Sequence, residues 1–274
     1  MPTLPVSRSC TVGPVAYAGH PAFFAKRLSI MSQFHPLIED LLKLETPKTW
    51  SLIATIFGDL DGDSLSGKQI GALLSHAGIK PAASRVALHR LRNEGWIVSK
   101  KHGREVSYTL SDHARAETVT AQKDVYRRDV KFASGWNVLA LQTDATIPQE
   151  ETIALGKNLI LAPNGAKLAG ALPLAFMDDA FPAWFVTRLA AKHVLAQAAA
   201  LTDLVERFGG PETPMTATDT TTARLLIIHY WRKMALRTRT WAHIGLLPEG
   251  ELARCHRSVT RLLSQTSKLT PPDV

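Results

Sequence analysis

Between Gly78 and Leu110 the apolar period of the sequence switches from that of a helix to that of a strand, and Gly or Pro marks each change. Pro81 suits a first helical position, where its missing N–H does no harm, and Gly95 ends the segment. In between, Ser84, Ala87, Leu88 and Leu91 share one helical face, while Arg85, His89 and Arg92 share another. Residues 96–99 are β-like, His102-Gly103 is a turn, and 105–110 is a second short strand with Val106, Tyr108 and Leu110 alternating. Upstream, Trp50, Ile53, Ala54, Phe57 and Leu60 give helical spacing over residues 48–60. Asp61-Gly62-Asp63 is a turn, and Ser66 caps a helix over 67–76 that turns Ile70, Leu73 and Leu74 inward. Gly78 closes that helix in the left-handed conformation. Three helices followed by a hairpin is the order of a winged helix-turn-helix, expected over residues 48–112.

The charge lies where such a module would use it. The formal net charge is +8, and between Lys80 and Arg104 there are seven cations against one acid, Glu94. An excess this concentrated points to a polyanion, and its position on one helix and one hairpin tip points to double-stranded DNA. In that reading Arg85 and His89 face base edges in the major groove, with Arg matched to the two acceptors of guanine. Lys80 and the helix N-terminus sit near a phosphate, Arg92 extends the same face, and Lys100, Lys101, His102 and Arg104 crowd the wing tip against the backbone or minor groove. Arg90, at the edge of the buried face, braces the fold, and Trp96 is core rather than a stacking platform.

Two cysteines, Cys10 and Cys255, make no disulfide framework and fit a reducing, cytoplasmic setting. No apolar run reaches the roughly 20 residues that span a bilayer, so no membrane partner is expected. The first 47 residues read as a partly disordered leader, with periodic sequence beginning just after Met31-Ser32. Gly13, Pro14, Gly19, His20 and Pro21 interrupt what would otherwise resemble a signal peptide. Beyond the wing, Ser111 or Asp112 caps a linker helix over 113–133 that persists to about residue 128. Residues 134–210 then give a strand at 137–142, a short helix at 149–156, strands at 158–162 and 171–176 around Pro163-Asn164-Gly165, and helix over 183–208. This β-α-β-β-α order suggests a ferredoxin-like α+β domain. After the linker at Gly209-Gly210-Pro211, residues 216–266 form a C-terminal helical domain. The fold class is therefore mainly α with α+β.

Several of these segments together resemble the PaaX-like regulators of phenylacetate degradation. The resemblance rests on residues 52–59 (LIATIFGD), 84–96 (SRVALHRLRNEGW) and 104–110 (REVSYTL), and more loosely on 134–141 (SGWNVLAL) and 225–232 (LLIIHYWR) followed by Leu246-Leu247-Pro248. It implies a homodimeric repressor with an N-terminal winged helix, a central ferredoxin-like domain and a helical C-terminal domain, released by an acyl-CoA or aryl-CoA thioester. Ser84 stands where that family's third helix usually carries Val.

Other constellations are weaker. Trp231, Arg232 and Arg237 are candidates for an effector pocket, against a plainer reading of Trp231 as core and Arg232 as surface. Arg188, Lys192, Lys233 and Arg239 add cations that would suit the phosphates of such a thioester. Cys255-His256 with His229 and His243 lacks any metal-ligand spacing. Phosphate loops, nucleophile elbows and paired catalytic His are absent from the sequence, so no cofactor, metal or catalytic residue is expected. The alternative function is a metal-dependent nuclease using Asp144 at the end of the first strand of the ferredoxin-like domain, though a single carboxylate falls short of a metal-ion site.

Overall fold

The structure is a computed structural model that describes residues 34–130, 135–142, 152–177, 181–208, 214–237 and 240–271. It is a mixed α/β protein with two small antiparallel sheets. The segment expected to be a leader contains helix α1 (Pro36–Leu44). His35 caps it, its Nδ1 accepting from the Leu37 N–H at 3.2 Å, and Leu37, Ile38 and Leu41 are buried. Those three residues recur at helical spacing and belong to the main core, so burial of the apolar face holds the helix there.

Helix α2 (Thr49–Asp59) is buried on nearly every side, with Leu52, Ile53, Ile56 and Phe57 inside. Trp50 shares the apolar spacing of this helix, but its indole is 43% exposed at the first turn. The reason is that α2 is packed by helices on more than one side, so its amphipathic spacing does not define a single inner face. Strand β1 (Leu65–Ser66) leads into α3 (Gly67–His76) through a capping box. The Gln69 N–H donates to Ser66 Oγ at 3.1 Å, and the Ser66 N–H donates to Gln69 Oε1 at 2.8 Å. Gly78 takes φ +74° after it, as expected. Helix α4 (Pro81–Asn93) follows, then β2 (Ile97–His102) and β3 (Glu105–Leu110). These strands form a six-pair antiparallel hairpin, and β1 adds to the far side of β3, giving the order β1-β3-β2. Strand β1 was not expected, because two residues show no periodicity.

Ser111 caps α5 (Asp112–Val125), accepting from the Ala114 N–H at 3.3 Å. The helix stops at Val125, short of the expected residue 128. A second sheet follows: β4 (Trp136–Ala140), β5 (Ile153–Ala154), β6 (Leu159–Pro163) and β7 (Leu172–Met177), in the order β5-β6-β4-β7 with every neighbour antiparallel. The helix expected over 149–156 is corrected where it can be seen, since Ile153 and Ala154 pair with Leu161 and Ile160 as a strand. Ile153 is β-branched and buried against β6, and that packing outweighs the local helical reading. Strands β6 and β7 do not pair with each other across their turn; they flank β4.

Helices α6 (Ala183–Leu189), α7 (Lys192–Glu206), α8 (Ala217–Ala235), α9 (Thr240–Leu246) and α10 (Glu251–Gln265) complete the chain. The helical stretch expected over 183–208 is interrupted at Ala190 and Ala191, both in extended backbone. Helix α8 is the axis of the assembly. It is capped by Thr216 and Asp219, is buried along most of its length, and packs against α1, α2, α3, α5, α7, α9 and α10. One hydrophobic core accordingly runs from Leu37 and Ile53 through Leu88 and Ile97 to Ile227, Trp231, Val259 and Leu269. The end of the chain returns to α2, where the Asp61 N–H donates to Leu269 O at 2.7 Å and the Leu269 N–H to Asp59 O at 3.2 Å. No helix among the described residues is long and apolar enough to cross a membrane.

Candidate nucleic-acid interface

Helix α4 divides cleanly. Ser84, Ala87, Leu88 and Leu91 are buried on the face the spacing predicts, while Arg85, Val86, His89, Arg90 and Arg92 stand outside. Lys80, at the N-cap, is exposed, and no side chain caps the free N–H groups of the first turn. The hairpin begins immediately after, because Gly95 at φ +69° turns the chain back within one residue of the helix end. Its loop is two residues, Gly103 and Arg104, with positive φ only at Gly103 (+61°). Positive φ at the first loop position alone is the pattern of a type II′ turn, which continues the right-handed twist of both strands. Lys100, Lys101, His102 and Arg104 are all exposed around that loop.

The electrostatics follow from exposure. Among the described residues, no acid lies within 4.0 Å of Lys80, Arg85, Arg92, Lys100, Lys101 or Arg104. Arg90 differs: its Nε meets Glu94 Oε1 at 2.7 Å, one turn later on the same helix. That exposed pair leaves Arg90 less available to a phosphate than its neighbours, and being exposed and within one helix it braces little of the fold. His89 Nδ1 and Asn93 Nδ2 lie 3.2 Å apart, so Asn93 donates to His89 and the other ring nitrogen is left facing out. Trp96 is partly buried against the main core. The spacing did not single out Val86, which is 69% exposed directly beside Arg85. Its signal was its absence from the apolar stripe.

Behind this surface, polar bonds tie α2 to α8. The Arg224 guanidinium clamps Asp59 from two nitrogens, Nε to Oδ2 at 2.8 Å and Nη2 to Oδ1 at 2.7 Å, with both side chains buried. The Tyr126 hydroxyl donates to the same carboxylate at 2.8 Å, and Arg224 Nη1 also donates to the Thr266 hydroxyl. Burial together with the adjacent Asp59 carboxylate pushes the Tyr126 phenol well above its ordinary range. A second cluster lies one turn away. Arg232 Nη2 donates to Ser51 Oγ at 2.9 Å and Ser51 O at 3.2 Å, and Thr55 Oγ1 donates to Ser51 O at 3.1 Å. His229 Nδ1 is 3.2 Å from that hydroxyl, whose proton is already committed, so Nδ1 carries the hydrogen. Burial, aided by the nearby Arg232 and Lys233 charges, lowers His229 to about 4.

The effector candidates do not converge. Trp231 is core, its Nε1 donating to Val125 O at 3.0 Å and its ring edge-on to Trp241. Arg237 is exposed, its Nε donating to Lys233 O at 3.3 Å, and Lys233 is paired with Glu45. Of the three, Arg232 lines a cavity among the described residues. Cys255 is buried, with its thiol pushed up to about 12, and His256 Nε2 donates to Arg127 O at 2.6 Å. Among the described residues, no three His, Cys, Asp or Glu side chains converge as a metal site. Asp144, Arg239 and Cys10 lie outside the described residues.

Comparison with known proteins points to the same segment of the chain. The family model described as "PaaX-like protein" matches residues 48–114, which run from α2 through the hairpin into the start of α5. The chain is also 30% identical over 102 residues to the transcriptional repressor PaaX of Escherichia coli (strain K12). That match takes in 36% of this chain and 32% of the relative, so it spans about a third of the relative's length. The resemblance read from residues 52–59 and 84–96 is borne out over residues 48–114, where the helices and the hairpin lie.

Proposed function

We propose that this chain is a sequence-specific DNA-binding transcriptional regulator, acting as a repressor, that meets duplex DNA with a winged helix-turn-helix. One observation carries the reading. Six cations without an acidic partner among the described residues stand exposed on one helix and on the hairpin that follows it. In this reading α3 crosses the backbone and α4 enters the major groove. Arg85 and His89 meet base edges, and Val86 packs on a thymine methyl. Lys80 and Arg92 hold phosphates, and Lys100, Lys101, His102 and Arg104 carry the wing onto the neighbouring backbone. The repressing sign follows the Escherichia coli relative.

The rest of the chain supplies assembly and control. The four-stranded sheet forms the centre of a ferredoxin-like domain over residues 134–210. Its edge strand β7 exposes Leu172, Leu174 and Phe176, apolar surface suited to a second copy of the chain. A dimer would set two half-sites about one helical turn apart. Release by an acyl-CoA or aryl-CoA, as the resemblance implies, is part of the same reading. Arg128 and Lys268 line a cavity of about 450 Å³ that supplies cations for the phosphates of such a ligand. The test is selection of bound fragments from genomic DNA, with sedimentation of the free protein beside it. Enrichment of one motif with paired half-sites by a dimeric protein is the expected result. Binding with no sequence preference overturns the regulator, and a monomer that selects single half-sites overturns the dimer.

A further inference from the structure

A cavity of about 370 Å³ opens between α2, the C-terminal end of α4, α5 and α8. Its volume falls in the range of small-molecule sites, about 300–1,000 Å³. Much of its wall is apolar: Trp50 from α2, Leu91 and Trp96 from the end of α4, and Ile228 from α8. Trp50 is the indole that shares the apolar spacing of α2 and that the fold leaves 43% exposed here.

The polar groups in the wall are unevenly satisfied. Glu94 is held by Arg90 at 2.7 Å, and Glu117 lies 3.1 Å from His113 Nε2. Both acids therefore already have partners. Arg232 has no anionic partner: its hydrogen bonds among the described residues are the two from Nη2 to Ser51, and no described acid lies within 4.0 Å of it. It is half-buried, so much of its hydration is gone without an anion to replace it. A guanidinium presents parallel N–H donors that match a carboxylate.

We propose that this cavity binds a small organic anion, a flat apolar ring system bearing one carboxylate, with the carboxylate on Arg232 and the ring against Trp50 and Trp96. The cationic anchor and the apolar walls face the same space, which requires an occupant with both properties. A bulkier polar tail on such a ligand would have to stay outside the cavity.

The position of the site gives the ligand a consequence, and this part rests on the DNA-binding reading. Leu91, Glu94, Gly95 and Trp96 are the last turn of α4 and the bend into β2. An occupant touches the end of the helix carrying Arg85 and the root of the hairpin carrying Lys100. A ligand that prefers one relative placement of helix and hairpin changes DNA affinity, and DNA changes ligand affinity by the same factor.

The probe is 2-naphthoate with its uncharged analogue 2-naphthamide, titrated into the full-length protein and read by calorimetry and indole fluorescence. The acid should bind saturably at one site per chain and at least about tenfold more tightly than the amide, because only the acid pairs with the guanidinium. Trp50→Ala should weaken both compounds, and Arg232→Met should reduce the acid to the level of the amide. The comparison of acid with amide needs no variant, so it stands even where loss of the Ser51 bonds unfolds Arg232→Met. Equal affinities, no binding, or binding indifferent to Trp50→Ala overturns the site. DNA affinity is then measured with and without saturating 2-naphthoate. A change of about threefold or more supports the coupling, and an unchanged affinity overturns the coupling alone. Because fluorescence reads the ligand without DNA, failure of the DNA-binding reading stays distinguishable from failure of the site.

Discussion

Arg85 and Val86 are adjacent on the outward side of α4, and they would read DNA by different physics. A bidentate Arg–guanine contact discriminates by hydrogen bonding, so Arg85→Ala should cost about 1–3 kcal/mol on the preferred site and relax one base position. Binding to unrelated duplex should fall much less, as competition titrations would show; equal losses would mean that Arg85 holds a phosphate. Val86 offers only apolar area, so replacing the contacted thymine by uracil should weaken wild-type binding by about 0.8 kcal/mol, the worth of one buried methyl. Asp59 is a different kind of residue. It lies at the end of α2, buried and clamped by Arg224 and Tyr126. Asp59→Asn leaves a buried guanidinium without its anion, and breaking such a pair typically costs about 3–5 kcal/mol. Urea unfolding measures it, and a loss under about 1 kcal/mol would mean that water takes over the carboxylate's role. Arg85 was legible in the sequence because exposure follows from helical period. The Asp59–Arg224 pair was not, because 165 residues separate the partners and only the fold brings them together.

At the scale of elements, the hairpin β2–β3 is set by local chemistry. Gly103 adopts the positive φ that a two-residue loop needs, and the strands pair over six registers with the charged residues crowded at the loop. In the proposed function this hairpin would act as a wing, through phosphate charge. Each phosphate contact removed should lower the slope of log K against log salt by about 0.9. Lys100→Ala with Lys101→Ala should therefore flatten that slope by up to about two units, while base preference stays as it was. Anisotropy titrations at a series of salt concentrations read it, and an unchanged slope would take the wing out of the interface. The central segment shows the opposite balance. Ile153 and Ala154 look helical among their neighbours but become a strand because β6 offers a pairing edge and a buried slot for Ile153.

Over the whole molecule, helix α8 joins the helix–hairpin segment that matches the PaaX-like model to the C-terminal helices, and it carries titratable groups into the core. His229 is held neutral at a value of about 4, against 6.5 for a free side chain. Burial also lowers His243 and His256, and neither ring nitrogen of His243 has a hydrogen-bond partner among the described residues. Below pH 6.5 the unfolded chain takes up a proton at His229 that the folded chain refuses, so unfolding binds protons and stability falls as the pH drops. The loss from His229 alone should be about 1.4 kcal/mol per pH unit between about 6.5 and 4, and it should be absent above that window. Urea midpoints across that range test it, and His229→Gln should flatten the profile. A wild-type profile with no slope there would mean that the imidazole titrates freely.

Sequence by itself determined what depends on nearest neighbours along the chain. It fixed the cap at Ser66, the left-handed glycines at 78, 95 and 103, the buried and exposed faces of α4, and the concentration of cations on that helix and its hairpin, and it narrowed the next cap to Ser111 or Asp112. These follow from period, cap chemistry and backbone sterics, which act over a few residues. Tertiary structure alone decided that Pro36–Leu44 is a helix in the core, that Trp50 faces a cavity, that Trp231 is interior while Arg232 is not, and that Leu269 returns to the end of α2. Each of these depends on which distant surface covers a given face. That choice comes from burying the shared apolar area of α2 and α8, and no short window of sequence contains both sides of that contact.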